Sequence, residues 1–297
     1  MTTPFKAGFI GIVGPPNVGK STLINTLIGE KISIVTPKPQ TTRNRILGIK
    51  NLPDAQLIFV DTPGIHHTRK KFNRHLVQVA QAAFRESDLV LVMVEATQSM
   101  PEDEFLFVVQ CLKNFKKPVF LLINKIDLIE KPALLPFIDV YQEIFPFREM
   151  IPLSALHGSG VEQLEKFLLS YLPEGPKYYP DDLFTDQTQR FMVSEIIREQ
   201  IFVLLQQEIP YSISVAIEEF NERRPGLIFI RATIWVEKLS QKGILIGKDG
   251  KMLKEIGKRA RKEIEHLLQA KVYVELWVTV KKNWTHEEAR IKQSLSS

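Results

Sequence analysis

Eight consecutive residues near the amino terminus have the types and the spacing of a loop that binds phosphate. Residues 14–21 fit the pattern G-x-x-x-x-G-K-[ST]. Glycine permits the tight turns and the close approach that backbone N–H groups need around a diphosphate. The Lys20 ammonium can reach the terminal phosphates, and the Ser21 hydroxyl can bind Mg²⁺. This stretch predicts a nucleotide site made of Gly14, Pro15, Pro16, Asn17, Val18, Gly19, Lys20, Ser21 and Thr22.

Such a loop needs a strand before it and a helix after it, and the sequence supplies both. Residues 9–13 form an apolar run, and 22–28 have the composition of a helix. Three further apolar runs alternate with helix-length segments: the runs are 56–60, 88–94 and 118–123, and the segments are 71–86, 102–114 and 133–145. This alternation predicts an α/β domain with a mainly parallel sheet covered by helices on both faces. Ligands of such sheets bind at the carboxyl ends of the strands.

Candidate metal ligands follow two of the predicted strands: Ser21 in the phosphate loop and Asp61 after the run 56–60. Asp61 directly follows a predicted strand and opens the sequence Asp61-Thr62-Pro63-Gly64. Its carboxylate can hold Mg²⁺ opposite Ser21, and the Gly64 amide can contact a terminal phosphate. An ordinary turn is the alternative for a lone D-x-x-G, but the position after a strand favours the functional interpretation.

The polar loop 36–44 offers a third metal ligand. Thr42 is the preferred residue and Thr41 the second choice, because a threonine hydroxyl here can complete the Mg²⁺ shell when GTP is bound. An ordinary polar loop is the alternative. The predicted metal ligands are Ser21, Thr42 and Asp61.

The sequence Asn124-Lys125-Ile126-Asp127 ends the next predicted strand and indicates selection of guanine. The Asp127 carboxylate can accept hydrogen bonds from guanine N–H groups that adenine lacks, and a buried mismatch rejects the wrong base. Asn124 is predicted to brace the loop, and the stem of Lys125 to pack on the base. Ser154, Ala155 and Leu156 follow the short strand 150–153 and are predicted to contact the base as well, although a helix-initiating turn explains them nearly as well.

These elements, in this order, resemble the translation-factor-related GTPases and more narrowly the Era family. The resemblance implies a Ras-like P-loop fold, Mg²⁺-dependent GTP hydrolysis that is slow on its own, and switching of loops 36–44 and 65–71. Ile65 departs from Ras-like proteins, which have a water-orienting glutamine there, so His66, His67, the backbone or a partner must position the water. Asn17 resembles an asparagine that coordinates K⁺ in related GTPases. The predicted catalytic residues are Lys20, Thr42, Asp61, Gly64 and Asn17.

The pattern changes after residue 175, where three prolines and one glycine fall within residues 173–182. We predict a GTPase domain over 1–175, a linker over 176–186 and a second domain over 187–297. The apolar periodicity of the second domain predicts the order helix, two antiparallel strands, helix, helix, strand, with a turn at 221–226 between the two antiparallel strands. A G-x-x-G sequence, 247–250, separates the last two helices, as in KH domains, which clamp unpaired nucleotides with this loop.

Local charge agrees with a nucleic-acid partner. Residues 238–262 contain nine basic and two acidic side chains, although a solvated helix face is the usual reading of such a run. Trp235 and Trp277 are expected in the core, whereas Trp284 lies beyond the last strand and is a candidate base-stacking residue. The predicted RNA contacts are Gly247, Lys248, Asp249, Gly250, Lys251, Lys254, Lys258, Arg259 and Trp284.

Bulk properties exclude several classes of protein. The chain has 297 residues and a net charge of +5, and Cys111 is its only cysteine, so a disulfide framework is excluded. No apolar run is long enough for a membrane span and no signal peptide is visible, so a cytoplasmic monomer is expected. The family resemblance further implies binding near the 3′ end of small-subunit ribosomal RNA, a role in 30S assembly and loose attachment to the inner membrane. The alternatives are a membrane-associated regulatory GTPase of cell growth without an RNA clamp, and a nucleotide-sensing clamp on an RNA chaperone.

Overall fold

The computed structural model describes residues 4–35, 46–61, 84, 86–97, 101, 103–113, 115–205 and 213–281. The chain divides into two compact units, Met1–Asp186 and Gln187–Ser297. The division falls where the predicted linker ends. Among the described residues, no helix combines the length and the apolar character needed to cross a membrane.

The first unit is built on a sheet that has six strands within the described residues. The strands are β1 (Lys6–Val13), β2 (Ile46–Leu52), β3 (Ala55–Asp61), β4 (Leu89–Glu95), β5 (Val119–Asn124) and β6 (Glu149–Pro152). They lie in the order β2-β3-β1-β4-β5-β6, and every neighbouring pair is parallel except β2 with β3. The predicted mainly parallel sheet is confirmed.

Helices cover the central strands because these strands are apolar on both faces. The helices are α1 (Lys20–Ile28), α2 (Asp103–Leu112), α3 (Leu134–Ile144) and α4 (Val161–Tyr171). Phe105 of α2 and Tyr141 of α3 pack in one core cluster with alternate residues of β4 and β5, such as Val92 and Leu121. The helix predicted over 71–86 lies outside the described residues except for Phe84 and Glu86.

Residues 176–186 pack along β2 and β3 instead of standing free. The Gln56 side chain accepts hydrogen bonds from the backbone N–H groups of Tyr178 and Tyr179. The Asn51 Nδ2 donates to the Asp181 carbonyl at 2.9 Å. The Asp186 carboxylate accepts from the Leu47 N–H at 3.2 Å. These side chains satisfy backbone groups of the segment, so the segment belongs to the first unit up to Asp186.

The second unit has three strands and three helices within the described residues. In chain order they are α5 (Gln189–Leu204), β7 (Ile213–Arg224), β8 (Leu227–Val236), α6 (Leu239–Ile246), α7 (Lys251–Leu268) and β9 (Lys271–Val280). Strand β8 is central, antiparallel to β7 and parallel to β9. The predicted element order is confirmed. Thr188 caps the start of α5, because its hydroxyl accepts a hydrogen bond from the Phe191 N–H.

The hairpin between β7 and β8 is tighter than the sequence predicts. Strand pairing continues to Arg224 opposite Leu227, with two bulges in β7, so only Pro225 and Gly226 remain as the turn. Gly226 has φ of 75°, a left-handed conformation that glycine adopts without strain. All three helices contribute to one core with the inner face of the sheet, through residues such as Ile197, Leu245 and Ile256.

Candidate functional site

The phosphate loop connects β1 to α1, and its backbone requires glycine at two positions. Gly14 and Gly19 have φ of 153° and 103°. A Cβ at Gly14 would lie 2.3 Å from the Met93 carbonyl oxygen, and one at Gly19 would lie 2.2 Å from the Asn124 Nδ2. Asn17 also has a positive φ, 63°, which asparagine tolerates better than most residues. The loop is therefore held against β4 and β5 at distances that leave no room for a side chain.

Lys20 is the first residue of α1, and its side chain turns back into the loop. Its Nζ donates to the carbonyl oxygens of Gly14, at 3.0 Å, and Pro15, at 2.6 Å. Burial lowers the pKa of Lys20 to about 8, against an opposing effect of the Asp61 charge. The ammonium thus lies inside the concave side of the loop, where an incoming phosphate stabilises its charged form. Of the other predicted residues, Val18 is buried and Thr22 lies in the first turn of α1.

Asp61, the last residue of β3, lies beside Ser21. Its Oδ2 accepts hydrogen bonds from the Ser21 Oγ at 3.1 Å and the Ser33 Oγ at 3.0 Å. A buried carboxylate and a hydroxyl this close form a set of hard oxygen ligands that fits Mg²⁺. Two predicted metal ligands are therefore adjacent, and Ser33 joins them without having been predicted.

Asn25 of α1 fixes the position of Ser33. Its Oδ1 accepts from the N–H groups of Ile32 and Ser33, both at 3.0 Å, and its Nδ2 donates to the Ser33 carbonyl at 2.7 Å. Three hydrogen bonds from one amide hold the turn that follows α1. Since Ser33 binds Asp61, this turn connects the metal ligands to the chain that enters segment 36–44.

The two loops predicted to hold the base are joined to the phosphate loop by Asn124. The Asn124 side chain is 3% exposed; its Nδ2 donates to the Val18 carbonyl at 2.7 Å and its Oδ1 accepts from the Ala155 N–H at 2.8 Å. The Thr26 hydroxyl adds a bond of 2.7 Å to the Ala155 carbonyl. Asn124 therefore fixes the phosphate loop against the Ala155 loop.

Lys125 and Asp127 occupy positions from which they can contact a base. Lys125 has φ of 64°, and its ammonium is paired with Glu95 at the end of β4. A hydrogen bond with Ser154 holds the pKa of Asp127 below its usual range, and the charges of His157 and Lys125 add to the effect. The His157 Nε2 lies 3.8 Å from Asp127 Oδ2. Asp127 is thus kept as an ionised acceptor.

Several predicted residues lie outside the described part of the chain. These are Thr42, Thr62, Pro63, Gly64 and Trp284, together with the alternatives Thr41, His66 and His67 and with Ile65, which replaces the water-orienting glutamine. The third metal ligand and the group that positions the water stay predictions.

The G-x-x-G loop of the second unit has the backbone that its glycines favour. Gly247, Asp249 and Gly250 have φ of 71°, 53° and 73°. A Cβ at Gly247 would lie 2.7 Å from the Met252 Cβ, so glycine is required there by both conformation and space. Lys248 is exposed in this loop, which ends directly at the first residue of α7.

A groove of about 960 Å³ lies between α7 and β9, beside this loop. Lys251, Lys254 and Lys258 line it, as predicted contacts should, whereas Arg259 pairs with Glu255 on the same helix at 2.8 Å. Lining residues that the prediction missed are Leu253, Glu255, Gly257, Arg261, Tyr273, Val274, Glu275 and Leu276.

The expectation that Trp277 packs in the core is wrong. Trp277 is 56% exposed, and its Nε1 donates to the Glu275 carboxylate at 2.7 Å. It belongs to the face of β9 opposite the core, because its neighbours Leu276 and Val278 point inward. Trp235 is partly buried, with the Lys281 Nζ 4.8 Å from its ring centroid.

Comparison with known protein families assigns both units. The family described as 50S ribosome-binding GTPase matches residues 9–125. The KH domain family matches residues 208–285. The phosphate loop lies within the first match, which ends at Lys125, inside the Asn124–Asp127 loop. The G-x-x-G loop and the groove lie within the second.

Relatives similar over nearly the whole chain include three bacterial proteins named GTPase Era. The protein of Geotalea uraniireducens is 51% identical over 97% of both chains. That of Geobacter metallireducens is 52% identical over 98% of this chain and 97% of its own. That of Syntrophus aciditrophicus is 53% identical over 97% of this chain and 94% of its own.

Two solved structures have the same fold. An Aquifex aeolicus Era variant bound to GDP·AlF₄⁻ is 43% identical, with 94% of this chain and 95% of that one covered and a TM-score of 0.87. Era in complex with MgGDPNP and nucleotides 1506–1542 of 16S ribosomal RNA is 44% identical with the same coverage and a TM-score of 0.86. The similarities over nearly the whole chain agree with the phosphate loop, the Asn124–Asp127 loop and the KH unit. The chain belongs to the Era family of GTPases.

Proposed function

We propose that this chain is a GTP-dependent switch that binds the 3′ region of 16S ribosomal RNA and acts in assembly of the 30S subunit. The observation that carries the proposal is the groove between α7 and β9, which lies beside a G-x-x-G loop and is lined by four basic side chains. A solved Era structure contains nucleotides 1506–1542 of 16S ribosomal RNA, which supports the choice of RNA.

We assign the nucleotide end of the switch to residues of the first unit, and the hydrogen bond between Ser21 and Asp61 supports this assignment. Mg²⁺, when bound at Ser21 and Asp61, would neutralise charge on the phosphates. Lys20 contacts the terminal phosphates, and the backbone amides of the loop surround the diphosphate. Asp127 accepts hydrogen bonds from guanine and thereby excludes adenine. We assign Thr42 and Gly64 to the terminal phosphate as their positions in the sequence imply.

Hydrolysis is proposed to depend on K⁺, held near the phosphates by Asn17 in place of an arginine finger, where its charge would stabilise the transition state. Ile65 has no hydrogen-bonding group, so the hydrolytic water has to be positioned by the backbone, by another residue or by a partner. Turnover measured at equal ionic strength in KCl and NaCl tests this assignment. Equal rates in both salts would remove Asn17 from the catalytic residues.

Coupling between the nucleotide and the switch segments has a physical route in the first unit. Ser33 binds Asp61, the proposed metal ligand, and lies three residues before segment 36–44. We propose that GTP orders segments 36–44 and 65–71 and favours RNA binding, and that hydrolysis releases the RNA. The contact of Ser33 with Asp61 means that a change at the metal ligands reaches the start of the first segment directly.

The RNA end of the switch combines backbone and charge. Gly247 and Gly250, which carry no side chain, let phosphates approach the chain closely, and Lys254 and Lys258 line the groove. Binding through several lysines releases counterions, so affinity should fall steeply as salt rises.

The test is charge reversal in the loop. Lys248→Asp, with Asp249 retained, should abolish binding of the 1506–1542 fragment, because two carboxylates then face the phosphates. The control is Lys166→Asp on α4, where an exposed lysine, paired with Glu162, carries the same charge change in the first unit. Fluorescence anisotropy with GDPNP-loaded protein measures affinity. Normal binding by Lys248→Asp would refute the assignment of this loop.

We further propose that the protein is a monomer that attaches loosely to the inner face of the membrane. The basic segment 238–262 is complementary to anionic headgroups as well as to RNA. Flotation with anionic liposomes in the presence of GTP tests this attachment. Absence of the protein from the floated fraction would refute the proposed membrane attachment.

A further inference from the structure

Glu95 is the last residue of β4, and it lies beside the start of the loop that we assign to the guanine base. Strands β4 and β5 are parallel neighbours, and their register places Glu95 opposite Asn124, the last residue of β5. The Ala96 N–H donates to the Asn124 carbonyl at 2.8 Å, so the two strand ends are held together at the edge of the sheet. The fold therefore brings the Glu95 carboxylate beside Lys125, which follows Asn124 in the chain.

The Glu95 carboxylate holds the Lys125 ammonium in an ion pair. Its other oxygen, Oε1, accepts a hydrogen bond from the Thr97 hydroxyl, so both carboxylate oxygens have a partner. The side chains of Lys125 and Glu95 are 30% and 19% exposed, so the pair is only partly in contact with solvent. Because lysine has a flexible four-carbon stem, these contacts select one arrangement of a side chain that would otherwise sample many.

The Lys125 stem is fixed at both of its ends. At the backbone end, Lys125 has φ of 64° and ψ of 35°, and its carbonyl accepts from the Leu128 N–H at 3.0 Å. At the other end, the ammonium is held by Glu95. An ion pair that solvent reaches contributes little to folding, because water screens the attraction and ordering the two side chains costs entropy. The main effect of this pair is therefore on the position of the stem.

We infer that Glu95 is a positioning residue for guanine nucleotides, which orders the Lys125 stem for packing on the base before a nucleotide arrives. The inference rests on the proposed guanine site, in which Lys125 and Asp127 contact the base, and it adds to that site a residue that acts through Lys125. A side chain that is already ordered loses less entropy when it contacts a ligand. The ion pair should therefore slow the release of nucleotide, since affinity differences between related complexes lie mostly in the rate of dissociation.

The test is Glu95→Gln in the full-length protein, with stopped-flow release of fluorescent GDP and GDPNP analogues. The amide keeps the size of the side chain but lacks the charge that holds the ammonium. GDP release should be about fivefold faster, because binding then has to order one long side chain. GDPNP release should accelerate by the same factor, since the two nucleotides share the base. Wild-type release by Glu95→Gln, or acceleration of only one nucleotide, would overturn the inference.

Glu165→Gln is the matched control. Glu165 of α4 pairs with Lys50 of β2 in the same unit. The side chains of Lys50 and Glu165 are 22% and 21% exposed, so this pair is buried to a similar extent as the pair of Glu95 with Lys125. The control should release GDP at the wild-type rate. Equal acceleration by Glu165→Gln would mean that release reports the loss of any ion pair in the first unit, and the inference would fail.

A double-mutant cycle separates positioning of Lys125 from a structural role of Glu95 at the end of β4. Lys125→Ala removes the stem and should by itself accelerate GDP release about tenfold. Glu95→Gln added to Lys125→Ala should cause no further acceleration, because the side chain through which Glu95 acts is gone. If the two effects multiply instead, Glu95 acts independently of Lys125, which contradicts the inference.

Lys125→Ala also separates the inference from the proposed guanine site. Wild-type release by Lys125→Ala would mean that the lysine does not pack on the base, and this part of the proposed site would fail together with the inference. Accelerated release by Lys125→Ala, combined with wild-type release by Glu95→Gln, would leave the guanine site intact and overturn the inference alone.

Discussion

Asn124→Ala removes the side chain that joins the phosphate loop to the Ala155 loop. Asn124 is 3% exposed, so water does not readily replace its two hydrogen bonds. The Val18 carbonyl and the Ala155 N–H would both lose their bonds to this side chain. The variant therefore tests whether this one amide holds the nucleotide site together.

The expected magnitude follows from those two groups. Each buried backbone group left unsatisfied costs about 1–3 kcal/mol, so the free energy of unfolding of the first unit should fall by about 2–6 kcal/mol. Of the two bonds that Asn124 makes, only the one to the Val18 carbonyl reaches the phosphate loop. Its share, about 1–3 kcal/mol, should appear as GDP dissociation that is about 5- to 150-fold faster.

The assay is stopped-flow release of a fluorescent GDP analogue, with urea unfolding of the same preparations. Asn51→Ala is the matched control, because its Nδ2 also donates to backbone carbonyls, those of Asp181 and Leu183, far from the loop in sequence. It should lower stability by about 1 kcal/mol and leave GDP release unchanged.

Two results would refute the reasoning. Wild-type GDP release by Asn124→Ala, despite its lower stability, would mean that the bond to Val18 does not shape the loop. Equally accelerated release by Asn51→Ala would mean that release reports general loss of stability.

Three further predictions concern the same site. Lys20 has a pKa of about 8 in the folded protein against 10.5 ordinarily, so the unfolded chain binds more protons than the folded chain between these pH values. Without nucleotide, the free energy of unfolding of the wild type should therefore rise by about 3 kcal/mol relative to Lys20→Met across that pH range. GDP affinity should fall above pH 8, because the ammonium then loses its charge. A flat difference in denaturant titrations at several pH values would contradict this. Asp127→Asn should shift preference from guanine toward xanthine nucleotides in competition binding, and unchanged GTP affinity would exclude base selection by this carboxylate. Gly19→Ala should abolish GDP binding because its Cβ would lie 2.2 Å from Asn124 Nδ2, whereas Gly158→Ala, with a similar positive φ and open space, should cost about 1 kcal/mol of stability and retain binding. Calorimetric titration distinguishes the two.

Residues that act through the spacing of a motif could be predicted from the sequence. Lys20 and Ser21 are neighbours in the chain, so the strand–loop–helix context is sufficient to place them. Asp61 was predicted because a buried strand ends there, and parallel strands bring such ends to one edge. The structure confirms that Ser21 and Asp61 meet.

Partners that act across the sheet could not be predicted. Ser33 reaches Asp61 from 28 residues away, and Glu95 reaches Lys125 only because β4 and β5 are adjacent. Their identities depend on strand order, which a single sequence does not specify. The exposure of Trp277, by contrast, could have been predicted from the sequence. The period-two pattern that puts Leu276 and Val278 in the core also puts the residue between them on the other face.

The anchoring of Asp186 leaves the connection between the two units almost without slack. Asp186 is bound to the Leu47 N–H of β2, and Thr188 already caps α5, so only Gln187 separates the two. The backbone torsions of Gln187 are therefore the main freedom that this connection contributes, whereas inserting glycines after Gln187 would lengthen it and add freely rotating bonds.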